Sequence, residues 1–569
     1  MFTSLATINT RPYALYEFDD LYTITNQSGI DSGNGQLLKG DTLTSLVSFT
    51  GKTSPYYGTH PQALVRLNND IYGITREGGN DRLSAGTVFR YNTSTDTFTT
   101  LFIFNETTKV NPTTLILSNG TLYGTTNGGG TDNLGTVFSC TTAGVFTTLV
   151  SFNGTTGNKL GEAPTTLIEY NGTLYGTTLY GGTDDYGTVF SYNIITDTFT
   201  NLVSFTGTTR TKLGNKPTIL ILSNDTLYGT TDTGGNDDYG AVFSYNIITD
   251  TFTNLVSFTG TTGNKLGITP NTLIEYNGTL YGTTNGGGTD NLGTVFSFTI
   301  SGGCTNLVSF TGTTGNKLGS APTTLIEYNG TLYGTTQYGG TNNYGTVFSC
   351  TTAGVFTTLV SFTGTTGNKL GKTPNTLIEY NGTLYGTTYS YSDGVGTLFK
   401  YAYGVPCFKE DTLILTNKGY MPVQTLARGD LVKTLLHDFV PIHNIGKKSI
   451  LHEALPNRIK DQLYSGPGDL ILTGGHSVLV DSYATKEQCS QARNVNEGIF
   501  LTDKKYRLPA CVDERFKVYD VPGTYMVYHI ALENDNPFMN YGIYANGLLV
   551  ETCSKNYLLN RTNMSIDIK

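Results

Sequence analysis

The stretch TLIEYNGTLYGTTLYGGTDDYGTVFSYNIITDTFTNLVSF, residues 166–205, decides the fold of this chain. It holds four short runs rich in Thr, Val, Ile, Leu, Tyr and Phe, and none has the spacing of an amphipathic helix. TLIEY and TLYGTT are joined by Asn171-Gly172, the turn chemistry of a tight two-residue hairpin. A Gly-rich loop leads into GTVFSYN, and an ITDT turn leads into FTNLVSF. Four strands joined by short turns make one small antiparallel sheet.

The same unit recurs at a period of 50–53 residues. Its LYGTT marker begins at Leu21 (degenerate), Ile71, Leu122, Leu174, Leu227, Leu280, Leu332 and Leu384, which makes eight copies. Sheets repeated at such a period pack face to face as a β-propeller or stack as a linear solenoid. The two are told apart by the ends of the repeat array. The last unit reaches GTLFKYA and runs into Cys407 without an LVSF strand, while FTSLATI at residues 2–8 matches that missing strand. A solenoid would show polar capping repeats instead. The expected fold is all-β: an eight-bladed propeller over residues 1–405, closed by strand 2–8, then a smaller all-β domain at 406–555 and a tail at 556–569.

The unit resembles the GloVer tandem repeats of large extracellular bacterial proteins, which share LVSF, LYGTT, GG and GTVF in that order. In layout it is also similar to kelch blades. The resemblance implies a propeller in an extracellular or surface setting, and no reaction. The loops NGGGTDNLG, LYGGTDDYG, TGGNDDYG and QYGGTNNYG repeat along one rim. They read either as a surface for a glycan or protein partner, through Tyr stacking and amide hydrogen bonds, or as solvated turns. They lack the D-x-D-x-D-G series of a calcium loop, so neither metal nor cofactor is expected. Most of the N-x-T sequons, such as Asn171 and Asn277, fall on the hairpin turns, and turn geometry alone accounts for their Asn.

Composition narrows the function further. A net charge of −9 and a pI near 5.2 argue against phosphate-backbone binding, so no nucleic-acid partner is expected. No signal peptide and no membrane-spanning run is visible. The seven cysteines show neither a disulfide framework nor zinc spacing. Cys140 and Cys350 occupy matching repeat positions and read as core filler. Of six histidines only His60 precedes residue 405, so acid–base chemistry is expected beyond it.

There the sequence changes character. CFKEDTLILTNKGYMPVQTLARGDLVKT begins at Cys407, DLILTGGHSVLVD contains Thr473 and His476 as a T-x-x-H pair, and YHIALENDNPFMNYGIYANGLLVETC closes the region. These three blocks resemble the Hint family of hedgehog autoprocessing domains and inteins, and in wording the Hint domains of large DNA viruses. The resemblance implies Cys407 as nucleophile on the carbonyl of Pro406, His476 as acid–base group and Thr473 as its hydrogen-bonding partner. Any enzyme activity would be autocatalytic cleavage of the chain's own Pro406–Cys407 bond.

Three departures stand out. Glu551 and Thr552 precede Cys553 where splicing inteins carry His-Asn, so splicing is not expected. Met539 replaces the His of the closing block, although His529 is near in sequence. Pro406 is an unusual residue before the nucleophile. Two functions follow. One is a surface or virion-associated binding or structural protein whose propeller is carried by an inert Hint domain. The other is a self-processing precursor that releases or transfers the propeller. The viral resemblance implies a virion surface or extracellular location, or otherwise the host cytoplasm. Cys489 and Cys511 read as buried thiols, and Cys553 as a second thiol or a partner of Cys407.

Overall fold

The computed structural model describes the chain except for residues 1, 9, 29–33, 52–57, 80–84, 105–110, 209–210, 263–265, 300–302, 329, 366–370, 381–382, 390–395, 403–406, 453–462, 497–500, 535–539, 554–557, 559–564 and 568–569. It divides into two compact units. The main part of one is Thr3–Ile378 with Tyr385–Phe399, and that of the other is Lys400–Lys569.

In the first unit, eight antiparallel sheets of four strands form the blades. In the blade quoted above the strands are Glu162–Tyr170, Thr173–Tyr180, Thr188–Asn193 and Thr198–Ser204. As expected, the strand Phe2–Ile8 completes the last blade, pairing beside Gly396–Ala402, Thr383–Tyr389 and Pro374–Tyr380.

One joint recurs between blades. The Gly before each T-V-F strand (A-V-F in one blade, T-L-F in the last) lies against the ring of the proline that opens the next blade. Gly187 meets Pro217, Gly240 meets Pro270 and Gly345 meets Pro374, so tightly that a Cβ would come within 3.0 Å of the ring. The same joint closes the circle, with Gly396 against Pro12. Asn375 Nδ2 also donates to Tyr13 O at 3.2 Å, as Asn271 Nδ2 donates to Pro322 O at 2.6 Å two joints earlier in the array. A ring, and not an open stack, makes its first and last units neighbours.

The core lies between blades. Tyr175, Val189, Val203 and Phe205 of one blade pack on Leu220, Leu227, Phe243 and Tyr245 of the next, all buried. Within a blade, the Gly of LYGTT sits opposite the Phe of the third strand, as in Gly229↔Phe243. A side chain at Gly229 would strike that ring, so glycine is required here by close approach and not by backbone conformation. The threonines of LYGTT and GTVF form buried hydroxyl pairs, Thr178–Thr188 at 2.8 Å and Thr336–Thr346 at 2.8 Å. Each satisfies a polar group that burial would otherwise leave without water.

The second unit is built on one antiparallel sheet, whose longest pair is Phe439–His452 with Gly523–Leu532. The helix Lys486–Asn496 packs beside it. Within the expected tail, the strand Ser565–Asp567 pairs with Ile445–Lys447 and ties that end of the chain to the sheet.

Candidate functional site

The short strand Phe408–Lys409 pairs on one side with Leu472 and on the other with Val527–Tyr528. Cys407, immediately before it, is therefore held between the T-x-x-H segment and the Gly523–Leu532 strand, and it is fully buried. Its amide N–H donates to Thr473 Oγ1 at 2.7 Å, and its carbonyl accepts the Thr473 N–H at 3.0 Å. Thr473 thus grips Cys407 from both ends of the residue.

The turn Thr473–His476 closes with the His476 N–H on Thr473 O at 2.9 Å. A strap at 509–511 braces it, with the Ala510 N–H on His476 O at 2.8 Å and the Cys511 N–H on Gly474 O at 3.0 Å. His476 Nε2 lies 2.9 Å from Glu551 O. A carbonyl only accepts, so Nε2 carries the proton, and in the neutral ring Nδ1 holds the lone pair. Nδ1 has no hydrogen bond of ordinary geometry, although the Cys407 carbonyl acts to favour the protonated ring. Burial dominates and holds His476 below the ordinary histidine range. Glu551 is itself fixed by Arg507, whose Nε lies 3.0 Å from its carboxylate.

The three residues expected to act together, Cys407, Thr473 and His476, do lie together. Two others join them. His529 stacks on His476 with ring centroids 5.4 Å apart and planes 7° apart. Burial, and secondarily the neighbouring His476, hold His529 well below the ordinary range. Cys553 shares a small apolar cluster with Cys407, Leu463, Val527, Ala531 and Leu558. Its thiol is pushed well up by burial and then by Cys407, and it donates to Ile530 O at 3.4 Å. Neither cysteine is in a disulfide. Only the proximity of His529 in the chain hinted at its place, since the stack forms between strands far apart in sequence. Pro406 and Met539 lie outside the described residues.

Thr552 bonds Tyr541 in both directions, its N–H on Tyr541 O at 2.8 Å and its Oγ1 accepting the Tyr541 N–H at 2.9 Å, just beyond the Gly542–Ala545 and Leu548–Glu551 pair. Among the described residues no group of three or more His, Cys, Asp or Glu is arranged to hold a metal. No helix among them is long and apolar enough to cross a membrane.

On the propeller, one acid or amide in each of several rim loops is committed to its own turn. Asp185 accepts the Gly181 N–H, Asp238 the Gly234 N–H and Asn343 the Gly339 N–H, each at 2.8 Å. Tyr186, Tyr239 and Tyr344 cover Gly207, Gly260 and Gly364. These three stay exposed themselves, as do Tyr180 and Tyr338, all between 36% and 46%. Cys140 and Cys350 are core thiols, pushed up to about 11 and about 12 by burial.

Eight repeat blades followed by a Cys-Thr-His cluster on its own β unit define a repeat propeller with a C-terminal Hint domain. The chain belongs to the Gloeobacter/Verrucomicrobia repeat family, whose model matches residues 12–216 and 208–399. The Hint domain model matches residues 406–554. No curated protein matches the chain. Among solved structures it is similar to the computationally designed Ika8 protein, at 17% identity and TM-score 0.45, covering 70% of this chain and 98% of that one. It is also similar to a puromycin-hydrolyzing peptidase of Mycobacterium tuberculosis, at 11% identity and TM-score 0.39, covering 67% of this chain and 59% of that one. At this distance neither bears on what the chain does.

Proposed function

We propose that the chain is a self-processing surface protein whose Hint domain cuts before Cys407. The observation that carries this reading is the grip of Thr473 Oγ1 on the Cys407 amide at 2.7 Å, beside the buried His476. Cys407 Sγ passes its proton to Nδ1 of His476 and attacks the Pro406 carbonyl carbon. The C–N bond breaks, and the nitrogen held by Thr473 takes the proton from His476. The product is a thioester on Cys407 with a free amine, and no outside reactant is consumed. Water, a thiol, an amine or an alcohol then opens the thioester. Splicing is not part of the proposal, because Glu551 and Thr552 supply no Asn side chain to cyclise.

The released or displayed propeller is a binding module for a glycan or a protein, outside the cell or on a virion. The exposed Tyr180 and Tyr338 support this, since such rings supply rigid, amphipathic contact area. The acidic balance speaks against a nucleic-acid partner.

The second reading, a binding or structural protein on an inert Hint scaffold, is favoured by one observation: Cys407 has no exposed surface for an outside nucleophile to reach. Intact mass of the full chain, with and without dithiothreitol and hydroxylamine, decides between them beside a Cys407→Ala control. Fragments 1–406 and 407–569 from the wild type alone support self-processing. One intact mass throughout overturns it in favour of the scaffold.

A further inference from the structure

Strand Gly523–Leu532 divides its side chains by period two. Tyr528, Ile530 and Leu532 enter the main core of the domain, whereas Val527 and Ala531 face the cluster of Cys407 and Cys553. His529 falls between Val527 and Ala531, on the cysteine side, and is fully buried. An imidazole is costlier to bury than a Leu that would fill the same space, because its nitrogens lose water. Packing alone does not call for histidine here.

What the position offers is a flat face. His476 is held at Nε2 by the Glu551 carbonyl, with the Phe408 ring tilted at 4.3 Å and the His529 ring parallel at 5.4 Å. One bond at Nε2 leaves the ring free to swing about that axis. Two aromatic walls remove the freedom.

We propose that His529 is a positioning residue for thioester formation, the flat wall that fixes the plane and the ε-protonated tautomer of His476 and so keeps Nδ1 in place for the Cys407 peptide. The proposal rests on the self-processing reading. His529 never needs to carry a proton itself. That fits a ring whose burial and neighbour both oppose its charging.

The test uses the full-length chain labelled with 15N-histidine, with His476 assigned through His476→Gln. His529→Phe keeps a flat wall, and His529→Leu fills the space without one. Two-bond 1H–15N spectra at pH 7.5 are expected to show His476 as a single ε-tautomer in wild type and His529→Phe, and as a mixture in His529→Leu. Hydroxylamine-dependent cleavage is expected within about threefold of wild type for Phe and down about 100-fold for Leu, the scale of a catalytic group displaced by about 1 Å.

An unchanged tautomer and rate in His529→Leu would overturn the proposal. So would a His529→Phe chain as slow as Leu, which would assign the work to the nitrogens of His529. If the wild type yields no fragments, the self-processing reading fails, and the tautomer spectra still decide whether His529 holds His476.

Discussion

Acidification offers a test of the site that does not depend on cleavage. His476 and His529 are fully buried, and both imidazoles are held below the ordinary 6.5, His529 the further. In the unfolded chain both return to that ordinary value. Below it the unfolded state binds more protons than the folded state, so stability is whole above about pH 7 and is lost as the pH falls through 6.5. Between pH 7.5 and 5.5 one histidine that stays neutral in the fold loses about 1.4 kcal/mol, from RT ln(1 + 10^(6.5 − pH)). His529 and His476 each contribute at most that amount, so the total is at most about 3 kcal/mol.

Hydrogen exchange on the full chain reads this directly, in peptides spanning Tyr525–Leu532, with propeller peptides as the internal control for intrinsic exchange. The opening constant of the Hint peptides is expected to rise as the pH falls, by up to about 100-fold over this pH range. His529→Phe removes the His529 share, leaving at most about 10-fold. The reasoning is refuted if opening of 525–532 does not change with pH relative to the propeller. A His529→Phe chain with the full wild-type slope would refute it equally.

Three further outcomes are expected. Thr473→Val keeps the shape but leaves the buried Cys407 N–H without its 2.7 Å acceptor, costing about 1–3 kcal/mol in chemical denaturation and slowing fragment formation in the same samples. Gly229→Ala drives a Cβ into the Phe243 ring and is expected to cost about 1–3 kcal/mol in the propeller transition, read by thermal melting, whereas the same change at Gly278, with open space around it but a positive φ of 75°, acts through backbone strain alone. Removing residues 2–8 leaves Gly396–Ala402 as an unpaired edge, so the truncated chain is expected to aggregate or dimerise in size-exclusion chromatography where the full chain does not.

Much of this protein was legible because its information is local and repeated. The Asn-Gly turns, the alternating β-branched and aromatic runs and the stagger between FTSLATI and GTLFKYA depend only on near neighbours and on period, which one sequence displays. Cys407, Thr473 and His476 were legible for a different reason, since three ordered blocks resemble a known family.

Other features exist only across distance. That Gly396 must be glycine follows from Pro12, which reaches it only when the ring closes. In the sequence nothing tells which rim Asp or Asn folds back on its own loop; the structure puts Asp185, Asp238 and Asn343 on their own loop amides. His529 and Cys553 looked like bystanders in the sequence. The sheet brings strands from three separate blocks to one point, stacks one imidazole on another and sets one buried thiol beside a second. Hairpins and periods are written in neighbouring residues, where a single chain states them outright. Joints and sites are made by residues tens or hundreds of positions apart, and only packing decides which of them meet.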